Sequence, residues 1–413
     1  KSWVMLFGLL PHPLPQFTLS GETLTFRDVV RYVGVFFQST HRNIFASHYT
    51  KKRDCAVGTA RAITGCDLLI GNRRMPPAIT KQLYTALVDC HLTNGCEITP
   101  DTDPSLLRLL EDVQTRFLRR MLGLSSNSVI TPLHTETGIM PIRTRRVSLT
   151  LRYLKYLMDL PDYHYASLAL NESNNLRNSQ SPCWLSDLDY AINQLPGNHR
   201  LPNLRSLNGD YIDRLIKSIE FSTKADLQSH IDMWSELSLL RHRLEPNEEG
   251  PPKPLLIGLR HYLTRIANHK HHRVITKLLC GDYIPHVFRA SPSPLRQLST
   301  AERFSRLCRA CNLQPETPQH VLLQCPSLNS VSFLRSEFMS DIRQSRPLPI
   351  NTFLSDSTAL HYLKLLIFDW SLIIPTAKFI HDAIGRWQHF LDTGIDLHLE
   401  DDVGTGGEDS EEE

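Results

Sequence analysis

The segment from Cys308 to Cys325 constrains this chain more than any other, because it holds three cysteines and a histidine. Two residues separate Cys308 from Cys311, eight more precede His320, and four separate His320 from Cys325. Two thiolates at this spacing can bind one metal ion from a tight turn, and a His and a Cys on a following helical turn can complete a tetrahedron. We therefore predict a structural zinc ion bound by these four side chains. Two buried cysteines beside an exposed histidine are the alternative interpretation.

The residues between the predicted ligands are compatible with such a site. Asn312 and Pro315 favour a turn between the two halves of the segment. The apolar run from Val321 to Leu323 is expected to pack the helix that carries His320.

The remaining cysteines indicate the compartment. The chain has nine cysteines in 413 residues, an odd number spread over its length, which is not a disulfide framework and favours a reducing environment. We therefore expect an intracellular protein, nuclear or cytoplasmic. The apolar run Trp3–Leu10 is too short for a secretory leader. The apolar stretch Ala359–Ile380 is interrupted by charged residues, so we expect a core helix there and no membrane partner.

The charge is unevenly distributed along the chain. The formal net charge is only +2, but Glu400–Glu413 contains eight acidic residues and no Lys or Arg. The other residues include 45 basic and 35 acidic ones, a balance of +10. A basic body suits a polyanion such as RNA or DNA, and an acidic tail can shield it. Ordinary charge scatter is the alternative.

The first 40 residues have the patterns of short strands. Trp3–Phe7 is an apolar run, and Phe17–Phe26 alternates around Ser20-Gly21-Glu22, a hairpin turn. We predict a third strand over Val29–Gln38 with Gly34 inside it, where glycine would mark the close approach of another backbone.

From about residue 41 the apolar period changes from two residues to about 3.6, which indicates helices. The pattern predicts one helix over 45–70 and a second that Asp103 caps, with Pro104 at its first position and Gly123 at its end. The apolar stripe of the second helix comprises Leu106, Leu110, Val113, Phe117 and Met121.

Basic residues lie off this apolar stripe and on the helix predicted over 143–160. On the helix that Asp103 caps they are Arg108, Arg116, Arg119 and Arg120. On the helix over 143–160 they are Arg145, Arg146, Arg152 and Lys155. Basic outer faces on two adjacent helices could follow a phosphate backbone. A solvated helix face is an equally good interpretation of the same residues.

The predicted fold class is mainly α, with short N-terminal strands. The predicted organisation is strands over 1–40, a helical domain over 41–170, an irregular linker with weak helix over 171–254, a helical region with the zinc module over 255–345, further helices over 346–395 and a disordered acidic tail over 396–413. Within 255–345, three histidines follow Asn268 in four positions, but they point in different directions on a helix, which argues against one shared metal ion.

The order of these pieces resembles the C-terminal part of a reverse transcriptase from a non-LTR (LINE-like) retrotransposon. Lys1–Gly8 is similar to a palm strand of that family, and Arg31–Phe37 looks like its Tyr-Leu-Gly-Val strand with Val33 in place of Leu. Three helical stretches resemble the thumb, namely Leu83–Ile98, Leu110–Leu124 and Leu133–Arg146. In the zinc segment, Glu316-Thr317-Pro318-Gln319-His320 matches the Glu-Thr-x-x-His of the family. The resemblance covers about residues 1–160 and 255–345.

The resemblance implies that this region grips nucleic acid. Tyr32 and Gly34 would correspond to the primer-contacting edge between palm and thumb. The thumb helices would hold the template–primer duplex, and the zinc module would assist contact with RNA or DNA. The residues expected to bind nucleic acid are Tyr32, Gly34, Arg116, Arg119, Arg120, Arg145, Arg152 and Lys155.

The resemblance does not supply catalytic residues in this sequence. In such enzymes carboxylates in the palm bind Mg²⁺ and align the primer with a nucleotide, and they would precede the strand that Lys1 begins. The one adjacent aspartate pair, Asp401-Asp402, lies in the acidic tail with no strand pattern before it. We therefore expect no catalytic residue here, Mg²⁺ only together with such a palm, and no small-molecule substrate bound by this chain alone.

A different class of function fits the same sequence. A free-standing helical scaffold or nucleic-acid-binding protein with a structural zinc ion would also show basic helices and a Cys-Cys-His-Cys segment. Affinity for nucleic acid that falls steeply with salt would distinguish a phosphate-binding protein from a scaffold.

Overall fold

The computed structural model describes residues 2–8, 12–67, 75–282, 307–345 and 355–397. It is 60% helix and 7% strand, which confirms the mainly-α class. Residues 398–413, most of the predicted disordered tail, lie outside the described residues. So do 68–70 at the end of the first predicted helix and 346–354 at the start of the predicted C-terminal helices.

The N-terminal strands are short. β1 (Trp3–Val4) pairs in parallel with β4 (Thr25–Phe26). Between them, β2 (Thr18–Leu19) and β3 (Glu22–Thr23) form an antiparallel hairpin. Ser20 and Gly21 connect these two strands with positive φ angles of 51° and 82°, so the predicted turn is confirmed.

The predicted third strand is in fact a second hairpin, so that prediction was wrong. β5 (Val29–Tyr32) pairs with β6 (Val35–Gln38), with Tyr32 opposite Val35. Val33 and Gly34 form the two-residue turn with φ angles of 46° and 86°. Two consecutive positive φ angles match the right-handed twist of a hairpin, and glycine adopts them at the lowest cost. Gly34 therefore reverses the chain instead of admitting another backbone.

The chain divides into two compact units. The first comprises the described residues of Lys1–Leu122, Ile130–His230 and Leu256–Leu259. Its helices are α1 (Ala46–Gly65), α2 (Pro77–Leu83), α3 (Asp89–Thr93), α4 (Pro104–Leu122), α5 (Thr131–Thr137), α6 (Ile142–Met158), α7 (Tyr165–Asn178), α8 (Trp184–Asn193) and the greater part of α9 (Gly209–Met233), with a π-helical turn at Tyr84–Val88 between α2 and α3.

Helix α4 begins and ends where the sequence predicted. The Asp103 carboxylate accepts a hydrogen bond from the backbone N–H of Ser105 at 2.9 Å, which satisfies one of the free donors of the first turn. Gly123 follows the helix with a φ of 68°. All five residues of the predicted apolar stripe are buried, so one face of α4 lies in the core.

The region predicted as an irregular linker is largely helical. Residues 171–180 are mostly polar and are exposed or half-buried. Helix α7 forms because Leu170 enters the core on its other side, with Ala166 packed against that core. Helix α8 buries Leu185, Leu188 and Ile192, which are spaced as one helical face. In α7 and α8, burial of the apolar side chains outweighs the low helix propensity of the Asn and Ser residues in the same segments. These residues, with buried ones of α6 and α9, form a common core.

The second unit comprises Gly123–Val129, Ile231–Leu255 and the described residues of Arg260–Glu413. It contains a hairpin of β7 (Glu245–Asn247) and β8 (Gly250–Lys253) where a linker was predicted. Its helices are α10 (His261–Arg265), α11 (His269–Leu279), α12 (Asn329–Ser345), α13 (Asp356–Ile367) and α14 (Ile373–Thr393), with a π-helical turn at His320–Gln324.

The apolar stretch Ala359–Ile380 is two helices instead of one. α13 ends at Ile367 and α14 begins at Ile373, and α14 packs against α11 and α12. One face of α14 enters the core through Ile380, Ile384 and Trp387, and Trp387 is only 1% exposed. Among the helices of the described residues, none combines the length and the apolar character that crossing a bilayer requires.

Candidate metal centre

The four predicted ligands come together in the second unit. The donor atoms of Cys308, Cys311, His320 and Cys325 all lie within 4.8 Å of one another. The sulfur atoms of Cys308 and Cys325 are 3.8 Å apart, far beyond the roughly 2.05 Å of a disulfide. Cys308, His320 and Cys325 are buried, and Cys311 is half-buried. Together these side chains form a group that could hold a metal ion.

The two N-terminal cysteines lie in a tight turn. The backbone N–H of Cys308 donates to the Gln314 carbonyl at 2.7 Å, and that of Asn312 donates to the Cys308 carbonyl at 2.8 Å. Asn312 has a φ of 54°, a left-handed conformation that asparagine tolerates better than most residues. The turn that the sequence predicted from Asn312 is therefore present, and the sulfur atoms of both cysteines lie in the group of four side chains.

Contacts at the two ring nitrogens, with Gln314 and with Cys311, define the orientation of the His320 ring. Nδ1 lies 3.0 Å from Oε1 of Gln314, an atom that can only accept a hydrogen bond. Nδ1 therefore carries the proton, and Nε2, which lies 3.3 Å from the Cys311 sulfur, has a free lone pair. A partner that fixes the tautomer in this way is typical of histidines that bind metals. The sequence alone did not show which nitrogen faces the sulfur atoms.

Glu316 ties the cysteine turn to the segment that carries His320. Its fully buried carboxylate accepts hydrogen bonds from the backbone N–H of Arg309 at 2.9 Å and from the Arg309 guanidinium at 2.7 to 3.2 Å. The neighbouring Thr317 accepts from the backbone N–H of His320 through Oγ1 at 3.2 Å. Both residues therefore position parts of the ligand group without belonging to it.

Helix α12 contacts the segment that follows His320 and donates hydrogen bonds to it. Val321, Leu322 and Leu323 are buried, as predicted. Arg335 of α12 donates to the carbonyls of Leu322 at 2.8 Å and of Cys325 at 3.0 Å. Carbonyls at the end of a helical turn have few intrahelical donors available, so Arg335 supplies donors at this position. The side chains of α12 thereby hold the last ligand in place.

The buried sulfur atoms of Cys308 and Cys325 lie within hydrogen-bonding distance of each other. The hydrogen bond to Cys325, together with burial, raises the pKa of Cys308 to about 12, while the same hydrogen bond lowers the pKa of Cys325. A bound cation would favour the thiolate form of every cysteine in the group and would release the protons that the thiols carry.

The predicted nucleic-acid residues of α4 lie on its outer side. Arg116 and Arg120 are exposed, and Arg119 is half-buried. Arg120 donates to the Thr64 carbonyl at 3.4 Å. No ion pair to Arg116 is present among the described residues. The exposed position of Arg116 leaves its guanidinium accessible from solvent.

Two of the predicted residues of α6 are held in ion pairs within the first unit. Arg145 contacts Asp89 at 2.7 Å, and Lys155 contacts Asp213 at 2.6 Å. Arg152 is exposed, without an ion pair in the described part of the chain. Arg146, which the sequence placed with these residues on an outer face, is buried, so that placement was wrong.

The hairpin of β5 and β6 presents the remaining two predicted residues. Tyr32 is 65% exposed at the last position of β5, and Gly34 lies in the adjoining turn. An exposed aromatic ring at a hairpin tip is free to contact a partner. The contact role of both residues remains a prediction.

Comparison of the chain with models of protein families, with curated proteins and with solved structures found no match. The geometry of the ligand group and the sequence motifs are therefore the observations that bear on function.

Proposed function

We propose that Cys308, Cys311, His320 and Cys325 bind a structural Zn²⁺ ion. We further propose that the chain is the thumb and zinc-module part of a non-LTR retrotransposon reverse transcriptase, and that it binds RNA or DNA through basic helices. The Zn²⁺ ion would cross-link the cysteine turn and the His320 segment, and all four positions around it would be filled by protein.

The spacing of the donor atoms supports zinc. A tetrahedral ion with bonds of about 2.3 Å to sulfur and about 2.0 Å to nitrogen places two sulfur ligands roughly 3.8 Å apart and a sulfur and a nitrogen roughly 3.5 Å apart. The corresponding distances here are 3.8 Å between Cys308 and Cys325 and 3.3 Å between Cys311 and His320. Three thiolates and an imidazole are also the soft donors that zinc prefers over magnesium or calcium.

The observation that carries the family proposal is the arrangement around Glu316. In the Glu-Thr-x-x-His motif, Glu316 anchors the turn that holds two ligands, and Thr317 caps the turn that begins at His320. Each residue of the motif thus has a physical task in assembling the metal group. A chance arrangement of three cysteines and a histidine would not require a buried glutamate directly before a threonine cap.

The exposed arginines support the nucleic-acid proposal. Arg116 and Arg152 project from two helices that pack against each other, α4 and α6, and Arg143 of α6 pairs with Glu111 of α4 at 3.1 Å. Guanidinium groups bind phosphate oxygens in a bidentate geometry. Within the described part of the chain, neither of these two side chains would have to break an ion pair in order to contact a phosphate backbone.

Binding of a short RNA–DNA hybrid, followed by fluorescence anisotropy across a range of salt concentrations, tests this proposal. We expect affinity to fall as salt rises, and Arg116→Ala combined with Arg152→Ala to weaken binding and reduce the salt slope by about 2. Lys253→Ala is the matched control, because Lys253 is exposed on β8 of the second unit. Equal slopes for the double variant and the unsubstituted chain would contradict the proposed surface.

The ion pairs of α6 favour a second candidate, a helical scaffold with a structural zinc ion. Asp89 and Asp213 already neutralise Arg145 and Lys155. Because Arg146 pairs with Asp101, three of the four basic residues predicted on α6 are engaged within the protein. A chain that binds zinc but shows no affinity for nucleic acid at low salt would support the scaffold.

A further inference from the structure

A second group of metal-binding side chains lies in the second unit, between α11 and α14. The rings of His271 on α11 and His381 on α14 have centroids 4.9 Å apart. Asp382 follows His381, and Nδ1 of His381 lies 3.0 Å from its Oδ1. One donor atom from each of the three side chains lies within 4.8 Å of the other two. Two helices thus bring two imidazoles and a carboxylate together.

The helix geometry explains why His271 is the histidine that takes part. Residues 269, 271 and 272 point in different directions because each helical position advances by about 100°. His272 is buried, whereas His271 is half-buried at the edge where α11 meets α14. The partner of His271 is therefore more than 100 positions away, and the sequence cluster of three histidines gave no sign of it.

We propose that His271, His381 and Asp382 bind a divalent transition-metal ion that links α11 to α14. Imidazole nitrogen suits Zn²⁺, Ni²⁺ and Cu²⁺, whereas Mg²⁺ and Ca²⁺ prefer oxygen ligands alone. Three protein ligands leave positions for water, in contrast to the cysteine group with its four. The side chains of His381 and Asp382 are 30% and 36% exposed, so an ion and its water ligands could enter from solvent.

The charges around the group also bear on its affinity. Lys378 of α14 acts on His271 as a positive group, and Asp382 acts as a negative one. The Asp382 carboxylate therefore has two tasks, as a ligand and as the charge that offsets Lys378. Removing its charge should weaken metal binding even where the Asn side chain keeps the shape of the site.

Calorimetric titration of Ni²⁺ into the full, untagged chain tests this proposal. The chain is first loaded with zinc and freed of excess metal, so that the cysteine group keeps its ion. We expect one equivalent of Ni²⁺ to bind in addition. His381→Ala and His271→Gln should each weaken this binding at least tenfold, and Asp382→Asn should weaken it several-fold. Thermal unfolding of each variant without Ni²⁺, followed by circular dichroism, identifies any variant that has lost its fold.

Two further variants separate this site from other histidines and from the cysteine group. His269→Ala removes a histidine two positions from His271 and should leave Ni²⁺ binding unchanged. Cys311→Ser should lose the zinc ion and keep the Ni²⁺ equivalent. Absence of an additional equivalent in the unsubstituted chain overturns the proposal, as does binding of equal strength in the folded His271→Gln and His381→Ala variants.

Discussion

Arg146 of α6 and Asp101 form an ion pair in which only 2% and 4% of their side chains are exposed, with Nη2 and Oδ1 2.9 Å apart. Nη1 also donates to the Leu92 carbonyl at 2.7 Å, and Nη2 to the Tyr49 hydroxyl at 3.2 Å. Tyr49 in turn donates to Asp101 at 2.6 Å. Burial alone would lower the pKa of Arg146, but Asp101 and Tyr49 more than offset this and raise it. Arg146 is thus a charged residue within the core.

Removal of one partner of this pair should destabilise the first unit. Asp101→Ala leaves a buried guanidinium without its counter-ion, and we expect a loss of about 3–5 kcal/mol in the free energy of unfolding. Urea unfolding measures it. Arg152→Ala, on the exposed side of the same helix, should change stability by no more than about 0.5 kcal/mol. Similar losses for the two variants would contradict the buried network.

Cys311→Ser should abolish stoichiometric zinc binding and loosen residues 307–345. A serine hydroxyl does not replace a thiolate ligand, and folding of a zinc module depends on its metal. Metal analysis and amide hydrogen exchange measure the two effects. Cys90→Ser, at an exposed free cysteine, should leave both unchanged. A variant that keeps one zinc per chain would refute the site.

Glu316→Gln should weaken zinc binding without removing a ligand. The glutamine keeps one oxygen acceptor for the Arg309 backbone but loses the charge that pairs with its guanidinium. Loss of a residue that positions ligands lowers metal affinity by about tenfold or more, which competition with a chelator measures. Glu337→Gln on the exposed side of α12 is the matched control. An unchanged zinc affinity would show that Glu316 does not position the cysteine turn.

His134 should make the first unit less stable below neutral pH. It lies in α5, where its Nδ1 is 3.0 Å from the Ile139 carbonyl, and burial lowers its pKa to about 4. The unfolded chain binds a proton at about pH 6.5, but the folded chain does so only near the lower pKa. Stability is therefore full above pH 6.5 and is lost as pH falls towards 4.

Between pH 7 and pH 5 this histidine should account for a loss of about 2 kcal/mol in the free energy of unfolding. His134→Asn keeps a side-chain N–H near Ile139 and removes the titration, so urea unfolding of this variant should depend less on pH. His361→Asn, at an exposed position of α13, should retain the pH dependence of the unsubstituted chain. Equal pH dependence in the His134→Asn variant would contradict the prediction.

Local features of the sequence were sufficient to predict the ends of some elements and the four residues of the candidate metal centre. Asp103, Pro104 and Gly123 marked the ends of α4 because caps act on the backbone of the same few residues. The four ligands were recognisable because two short turns bring them together over 18 residues. The Ser20-Gly21 turn was predicted for the same reason, since a hairpin is set by its own turn residues.

Tertiary structure decided the features that depend on distant partners. The polar composition of 171–180 indicated a linker, yet α7 forms because its apolar side enters a core shared with α6, α8 and α9. In the sequence, Arg146 could not be distinguished from the exposed basic residues near it. Its burial depends on the ion pair with Asp101, which lies 45 positions earlier. The pairing of His271 with His381 likewise needs two helices to pack.

Sequence by itself therefore determined the helical class, the capped ends of α4 and the Cys-Cys-His-Cys group. Only the tertiary structure decided which charged side chains are buried, which basic residues remain exposed, and which nitrogen of His320 faces the sulfur atoms. The physical reason is the range of the interactions. Caps and short turns depend on residues that are close in the sequence. Burial and ion pairing depend on residues that are distant in the sequence and become neighbours when the chain folds.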